Sequence, residues 1–360
     1  MKKVLAIALV LCLVAVLGAC TPSESPPVAE EPPAQTQEGT AAPEPQADPG
    51  GAAYRIGVSV VLEGQDFWDS NVKGIYQAVA DLDGRCEVVL QSAQDDPSVQ
   101  LQQIENFITQ GMDAIIVASV DSEAILPAVT KCNDAGIPFI YNYRPIVSTA
   151  TANVDYGVGM DLIGGASDCA QWLVDYAKES GVKVQVIELM GALGDNHAIY
   201  CRDGFALVAG ANPDEIEVVT QVPGEWDTAK ALSGLGTALQ ANPDANAVFS
   251  HSDFYYSSIT SALQEKGKGG AAGEDNHMLQ LIVGGTMEGV NNVEAGYIDA
   301  LLNCPTYEIG YQAVIDAVKI LDGQITPDGQ TFAEMNGFLL TKSNFDEMAS
   351  KTFGAIAAAG

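Results

Sequence analysis

The chain has 360 residues, of which 16 are Lys or Arg and 47 are Asp or Glu, a formal charge of −31 at neutral pH. A field of that sign repels the phosphates of nucleic acids and the surface of anionic membranes, which argues against nucleic acid as a partner. The length exceeds one typical domain and allows two, each of about 150 residues with a core of its own.

The first twenty residues, MKKVLAIALVLCLVAVLGAC, begin with Lys2 and Lys3, continue with an apolar stretch over 4–17 and end on the small residues Gly18 and Ala19. That pattern is an export signal, too short for a membrane span. Its end, Leu17-Gly18-Ala19-Cys20, resembles the lipobox of bacterial lipoproteins, which implies a lipid on the Cys20 sulfur; the alternative is an ordinary signal peptide cut near Ala19. Residues 21–53 hold eight prolines and six acidic residues, with no Lys or Arg and no large apolar residue beyond Val28. Such a segment cannot bury enough surface to fold and reads as a tether. Its span is about 30 Å as a flexible coil and up to about 100 Å as extended polyproline.

From Tyr54 onward, short Val/Ile-rich runs alternate with segments of helical period. RIGVSVV (55–61), CEVVLQ (86–91), DAIIVAS (113–119) and PFIYN (138–142) read as strands. Between them, Val72, Ile75, Tyr76, Val79 and Leu82, then Leu101, Ile104 and Ile108, then Ile125, Val129 and Cys132 recur at spacings of three and four, each set on one helix face. Strands apolar on both faces and separated by helices predict parallel βαβ units. The pattern repeats after about residue 155: KVQVIEL (183–189), EIEVVTQV (215–222), NAVFS (246–250) and LQLIVGG (279–285) alternate with helices starting near Tyr200, Asp227, Tyr256 and Gly289. YIDALLN (297–303) then leads into a helix with Tyr307, Tyr311, Val314, Val318 and Leu321, closed by Gly323. In open parallel sheets ligands bind beyond the carboxyl ends of the strands. That is where Phe67-Trp68, YNYRP, GDNH, GEW, SHSD, GGT and Asn303-Cys304 fall.

Several motifs lead nowhere. His197, His251 and His277 lack the i, i+2 or i, i+4 spacing of a metal motif, so no metal is expected. GVGMDLIGG (157–165) departs from the G-x-G-x-x-G order of a dinucleotide loop, and no P-loop or G-x-S-x-G elbow occurs. With 47 carboxylates, acidic pairs arise by chance, so no glycosidase dyad is argued. Cys86, Cys132, Cys169, Cys201 and Cys304 form an odd set without a C-x-x-C pair; they read as buried free thiols, with one disulfide left open.

YRIGVSVV followed by QDFW, QDDPSVQLQQIENFITQGMDAIIVASVDSEAI, AGIPFIYNYRP, EWDTAKAL, ANPDANAVFSHSD and AGYIDALLN leading to YEIGYQAV carry, in that order, a resemblance over 54 to about 340. The chain looks like a substrate-binding protein of a bacterial ABC importer, of the ribose- and galactose-binding type. The resemblance implies an α/β fold of two Rossmann-like lobes joined by three hinge strands, with one sugar held between them. Lobe one is expected at 54–154 plus 304–335, and lobe two at 155–303 plus 336–360.

Carried over position by position, the family's aromatic pair falls on Phe67 and Trp68, its preceding polar contact on Gln65, and the facing aromatic on Trp226. The pair after the fourth strand falls on Tyr143-Arg144, with Asn142 as a substitute for the changed position. Arg202 stands closer to Gly204-Phe205 than the family spacing gives, so Asn196 or His197 takes that role instead. The Asn-Asp pair reads Ser252-Asp253, the next aspartate is absent, with GGTMEG offering only Thr286 and Glu288, and the last hinge amide falls on Cys304 beside Asn303. Adjacent aromatics at a helix start are more often core, but Val72, Ile75 and Val79 already supply a core stripe here. Trp226 between Glu225 and Asp227 reads as a helix-start staple or as a ligand contact. Arg144 reads as a surface ion pair or as a fork donating to ligand hydroxyls, and the fork is preferred.

The resulting expectation is a lipid-anchored, extracytoplasmic, monomeric solute-binding protein that takes a monosaccharide and hands it to an ABC permease in the membrane, without cofactor, metal or catalytic residue. A sensory lipoprotein of the same fold, signalling to a membrane receptor kinase, is the second reading. A surface enzyme acting on a carbohydrate is the third; it needs an activated nucleophile or a tuned acid–base pair, which the sequence does not show.

Overall fold

The computed structural model describes residues 54–329 and 332–359. The export signal, Cys20 and the tether lie outside the described residues. Two six-stranded sheets organise the rest. The first contains β1 (Tyr54–Val60), β2 (Cys86–Ser92), β3 (Ala114–Val117), β4 (Phe139–Asn142), β5 (Tyr156–Gly159) and β11 (Phe332–Glu334), in the order β11-β5-β4-β3-β1-β2 and parallel throughout. The second contains β6 (Val184–Met190), β7 (Ile216–Pro223), β8 (Ala247–Ser250), β9 (Leu279–Gly284), β10 (Ala300–Asn303) and β12 (Phe338–Thr341), in the order β12-β10-β9-β8-β6-β7, with β12 alone antiparallel. Helices α1 (Asp66–Asp81), α2 (Pro97–Thr109), α3 (Leu126–Ala135) and α9 (Thr306–Leu321) flank the first sheet. Helices α4 (Leu162–Ser180), α5 (Asn196–Ala211), α6 (Thr228–Ala241), α7 (Tyr256–Glu265) and α8 (Met287–Ala295) flank the second, and the short α10 (Phe345–Met348) and α11 (Phe353–Ala359) end the chain.

The unbroken apolar runs fold this way because a period of two sends alternate side chains to opposite faces, and both faces are covered. On β3, Ala114 and Ile116 join one apolar cluster, while Ile115 and Val117 join another with Phe107 of α2 and Val129 of α3. On β8, Ala247 and Phe249 face one way and Val248 the other. The helices α1 and α9 meet at backbone distance: a Cβ on Gly74 would lie 2.0 Å from the Tyr307 carbonyl oxygen, and one on Gly310 would lie 2.2 Å from that of Asn71. Cys86, Cys132, Cys169, Cys201 and Cys304 are all buried and unpaired.

The chain passes between the sheets three times: after β5, after β10 and between β11 and β12. The first passage corrects the expected boundary. Tyr156–Gly159, placed by the sequence reading in lobe two, is hydrogen-bonded between β4 and β11 of the first sheet. Two of its four residues are glycines, so it carries no apolar alternation to read. Met160-Asp161 makes the crossing, and Asp161 caps α4 by accepting the Gly164 N–H at 2.8 Å. That assigns the GVGMDLIGG stretch to a strand end and a helix cap. The C-terminal segment also departs from a purely second-lobe placement. β12 completes the second sheet, but α11 packs on α1 and α9 as well as on α8, and Lys73 of α1 donates to the Ala357 carbonyl at 2.8 Å.

Candidate functional site

A cleft of about 380 Å³ lies at the carboxyl ends of the central strands, walled by residues from both sheets. Eleven of the residues singled out in the sequence border it: Gln65, Phe67, Trp68, Tyr143, Arg144, His197, Trp226, Ser252, Asp253, Thr286 and Cys304.

The first-sheet wall is aromatic. Gln65 is the extended residue that opens α1, and its carbonyl takes the Asp69 N–H at 2.8 Å. This start puts Phe67 and Trp68 on the first turn, edge to face with centroids 5.1 Å apart. Tyr143 adds a third ring, 4.8 Å from Phe67 and 6.1 Å from Trp68. Its backbone is left-handed at φ 70°, a conformation costly for a residue with a Cβ and held here by tertiary packing. Trp68 is 4% exposed and belongs to the apolar core while also bordering the cleft, so core and wall are the same side chain.

The second-sheet wall is polar and tightly bonded. Trp226 follows Glu225, and both are left-handed at φ 54° and 52°. Its N–H donates to the Tyr255 hydroxyl at 2.7 Å, its ring stacks on Tyr255 at 5.8 Å, and its indole N–H donates to Asp195 at 3.2 Å. The ring lies on Gly191, where a Cβ would come within 2.0 Å of it. Ser252 caps the turn after β8 by accepting the Phe254 N–H. One oxygen of Asp253 accepts from Gly285 N–H, Thr286 N–H and the Thr286 hydroxyl at 2.8–2.9 Å. Burial pushes the Asp253 carboxyl up and these donors pull it back. Beneath them Glu188 pairs with His251 at 2.9 Å, both essentially without solvent exposure.

Arg144 joins the two walls. Its guanidinium donates to the Ser119 and Val120 carbonyls at 3.0 and 3.2 Å and pairs with Asp195 of the second lobe at 3.0 Å. It lies 5.3 Å from the Trp68 ring centroid and 5.7 Å from that of Trp226, within cation–π range of both. Arg144 is therefore a buried inter-lobe ion pair rather than a surface one, and it borders the cleft. Beside it the Tyr143 hydroxyl donates to Nδ1 of His197 at 3.0 Å, and Nε2 of His197 donates to the His251 carbonyl at 2.9 Å. Those partners fix one neutral tautomer, and burial holds the imidazole down to about 3. Burial also pushes the Cys304 thiol up to about 12. Burial thus disfavours both the imidazolium of His197 and the thiolate of Cys304.

Four of the sequence candidates do not border the cleft. Asn142 is fully buried and exchanges amide hydrogen bonds with Asn71 at 2.7 and 3.0 Å, tying β4 to α1. Asn196 donates to the Pro145 carbonyl at 2.8 Å and so spans the lobes. Arg202 pairs with its neighbour Asp203 on the surface of α5; five residues beyond His197 it has rotated well off the face that carries that imidazole. Asn303 accepts the Phe353 N–H at 3.0 Å and anchors the start of α11. For Asn142, Asn196 and Asn303 a partner distant in sequence takes polar atoms of the side chain, whereas Arg202 is paired with its own neighbour. Sequence reasoning in turn missed His251, Asp66, Asp95 and Phe254 in the lining, and Asp195 behind it. Asp195 was signalled only as the capping residue one place before Asn196, where it accepts the His197 N–H at 2.9 Å. Among the described residues no cluster of His, Cys, Asp or Glu could hold a metal ion, and no helix is long and apolar enough to cross a membrane.

Comparison with known proteins places this architecture. The chain is 31% identical over 215 residues to the ribose import binding protein RbsB of Bacillus subtilis, covering 60% of this chain and 67% of that one. It is 29% identical over 250 residues to the Escherichia coli K12 protein of the same name, covering 69% and 78%. Among solved structures, a Bacillus halodurans ABC transporter solute-binding protein with bound myo-inositol superimposes with a TM-score of 0.73 at 23% identity, over 84% of this chain and all of that one. An Agrobacterium vitis solute-binding protein bound to α-D-tagatopyranose superimposes with a TM-score of 0.72 at 25% identity, over 82% and 97%. The family model for the periplasmic binding protein domain matches residues 56–325, and the chain belongs to that family.

Proposed function

We propose that this protein is an extracytoplasmic solute-binding lipoprotein, anchored through Cys20, that captures a monosaccharide or related polyol between its two lobes and delivers it to an ABC permease. The observation that carries the reading is the pairing of walls across the cleft: Phe67, Trp68 and Tyr143 from one lobe, Trp226 from the other, rimmed by Gln65, Ser252 and Thr286. A sugar is polar at its rim and apolar on its C–H faces, so an aromatic wall covers a face while polar side chains take the hydroxyls. The names of the relatives support the same ligand class: ribose for the matched curated proteins, myo-inositol and tagatopyranose for the matched structures. The three chain passages between the sheets supply a hinge, and a ligand touching both lobes shifts the equilibrium toward closure by its differential affinity.

The test is calorimetric titration of the protein with ribose, galactose, allose, tagatose and myo-inositol, followed by small-angle scattering with and without the sugar that binds. Saturable binding with a smaller radius of gyration supports the reading. Failure of every polyol to bind removes it. Anchoring is tested separately: Cys20→Ser should move the protein from the membrane fraction to the soluble one, and a variant that stays in the membrane fraction places the anchor elsewhere.

A further inference from the structure

The cleft borders on four carboxylates, Asp66, Asp95, Asp253 and Glu288, and on a single guanidinium, that of Arg144. The charge of that cation is already paired inside the protein. Asp195 holds its Nη2 at 3.0 Å, the Ser119 and Val120 carbonyls take the N–H groups of Nη1, and the Trp68 and Trp226 ring centroids lie 5.3 and 5.7 Å from the guanidinium carbon. His197 is locked as a neutral imidazole between Tyr143 and the His251 carbonyl. The backbone donors that could substitute are also occupied. Asp253 takes the N–H groups of Gly285 and Thr286, Thr286 takes that of Gly289, and Asp195 takes that of His197. The start of α1 lacks a side-chain cap, but its first turn carries Asp66 and Asp69. An anion entering this cleft would meet carboxylates and no free counter-charge.

Resting on the sugar-binding reading above, we propose that Asp195 sets the charge class of the ligand: by holding Arg144 it withdraws the cleft's one cation, so the site takes an uncharged polyol and rejects the carboxylate or phosphate form of the same sugar. Asp195 is a positioning residue here, acting through Arg144 rather than by touching the ligand. Like-charge contacts across an interface cost several kcal/mol, so the discrimination should reach roughly a hundredfold or more.

The experiment titrates the wild-type protein with matched pairs, galactose and galacturonate, glucose and glucuronate, ribose and ribose 5-phosphate, and repeats the pair that binds with Asp195→Asn. Asparagine keeps the helix cap and the side-chain size while releasing Arg144. The expected result is that the wild type prefers the neutral member by roughly a hundredfold or more, and that Asp195→Asn narrows the ratio to about tenfold or less. The double variant Arg144→Gln with Asp195→Asn should restore the wild-type preference, which a loosened fold alone would not do. An acidic member that binds wild type as tightly as its neutral partner overturns the proposal, as does an unchanged ratio in a folded Asp195→Asn protein. If Asp195→Asn does not fold, the wild-type pairs still decide the charge class. Absence of binding by every member, neutral ones included, overturns the sugar reading itself and this inference with it.

Discussion

The two walls of the cleft are built on different principles. The first-sheet wall is a set of rings, Phe67, Trp68 and Tyr143, held edge to face and backed by the apolar core, so its stability comes from area removed from water. The second-sheet wall is a set of buried polar side chains, Glu188 with His251 and Asp253 with the Gly285–Thr286 backbone, plus one ring, Trp226, on a left-handed backbone. Apolar contacts are non-directional and tolerate a shift of a few tenths of an ångström. Buried hydrogen bonds do not, and each orphaned partner carries its full desolvation cost. The first wall should therefore soften gradually under substitution, and the second should fail abruptly.

The largest effects expected are on stability, and they test both walls at once. His251→Ala leaves the buried Glu188 carboxylate with only the Gln221 amide as partner, a loss of about 3 kcal/mol. Trp68→Ala removes a core ring and should cost about 3–5 kcal/mol as well as weakening sugar binding. Urea denaturation of both variants makes the measurement; a loss below about 1 kcal/mol for His251→Ala would erase the distinction between the walls. Trp226→Ala comes next. This ring is only partly buried, so its removal should lower affinity by about a hundredfold, near 2.8 kcal/mol at 1.4 kcal/mol per tenfold, with a smaller change in melting temperature. Calorimetry beside thermal unfolding separates the two, and intact affinity with lost stability would return Trp226 to the core.

A pH series sharpens the contrast from the polar side. The folded imidazole of His197 is held down to about 3 against an ordinary value of 6.5. Below 6.5 the unfolded chain takes up a proton that the folded chain refuses, so this group's contribution is complete above 6.5 and is lost as pH falls toward about 3. The slope is about 1.4 kcal/mol per pH unit in that window. His197→Gln should flatten it, with groups such as His277 cancelling in the difference; equal slopes in the two proteins would mean His197 is protonated in the fold. The smallest effect is expected at Arg202, whose partner is an exposed neighbour. Arg202→Ala should change affinity by less than about twofold and stability by less than about 1 kcal/mol, the range of surface ion pairs. A larger loss of affinity would restore it to the site.

The same division decides how much of the protein was legible in its sequence. The nine predicted strands and the helices between them were readable because burial on two faces imposes unbroken Val/Ile runs and spacings of three and four. The three strands that escaped lack that signature: half of β5 is glycine, and β11 and β12 are edge strands that are exposed or only half buried. The aromatic wall was legible too: Phe67 and Trp68 stand where a helix opens beyond a strand, and their position follows from local geometry. The polar wall was not. Whether Asn142 faces a ligand or Asn71, whether Asn303 meets a sugar or the Phe353 amide, and whether Arg144 is a fork or half of an ion pair with Asp195 each depend on a partner 50 or more residues away in the chain. By itself the sequence determined the elements, the doubling of the α/β unit and the place of Phe67 and Trp68 at the opening of α1, because those are set by which residues must leave water. Only the tertiary structure decided which polar groups remain free to bind, because a hydrogen-bonding side chain answers to the nearest well-aligned partner, and that partner is fixed by packing.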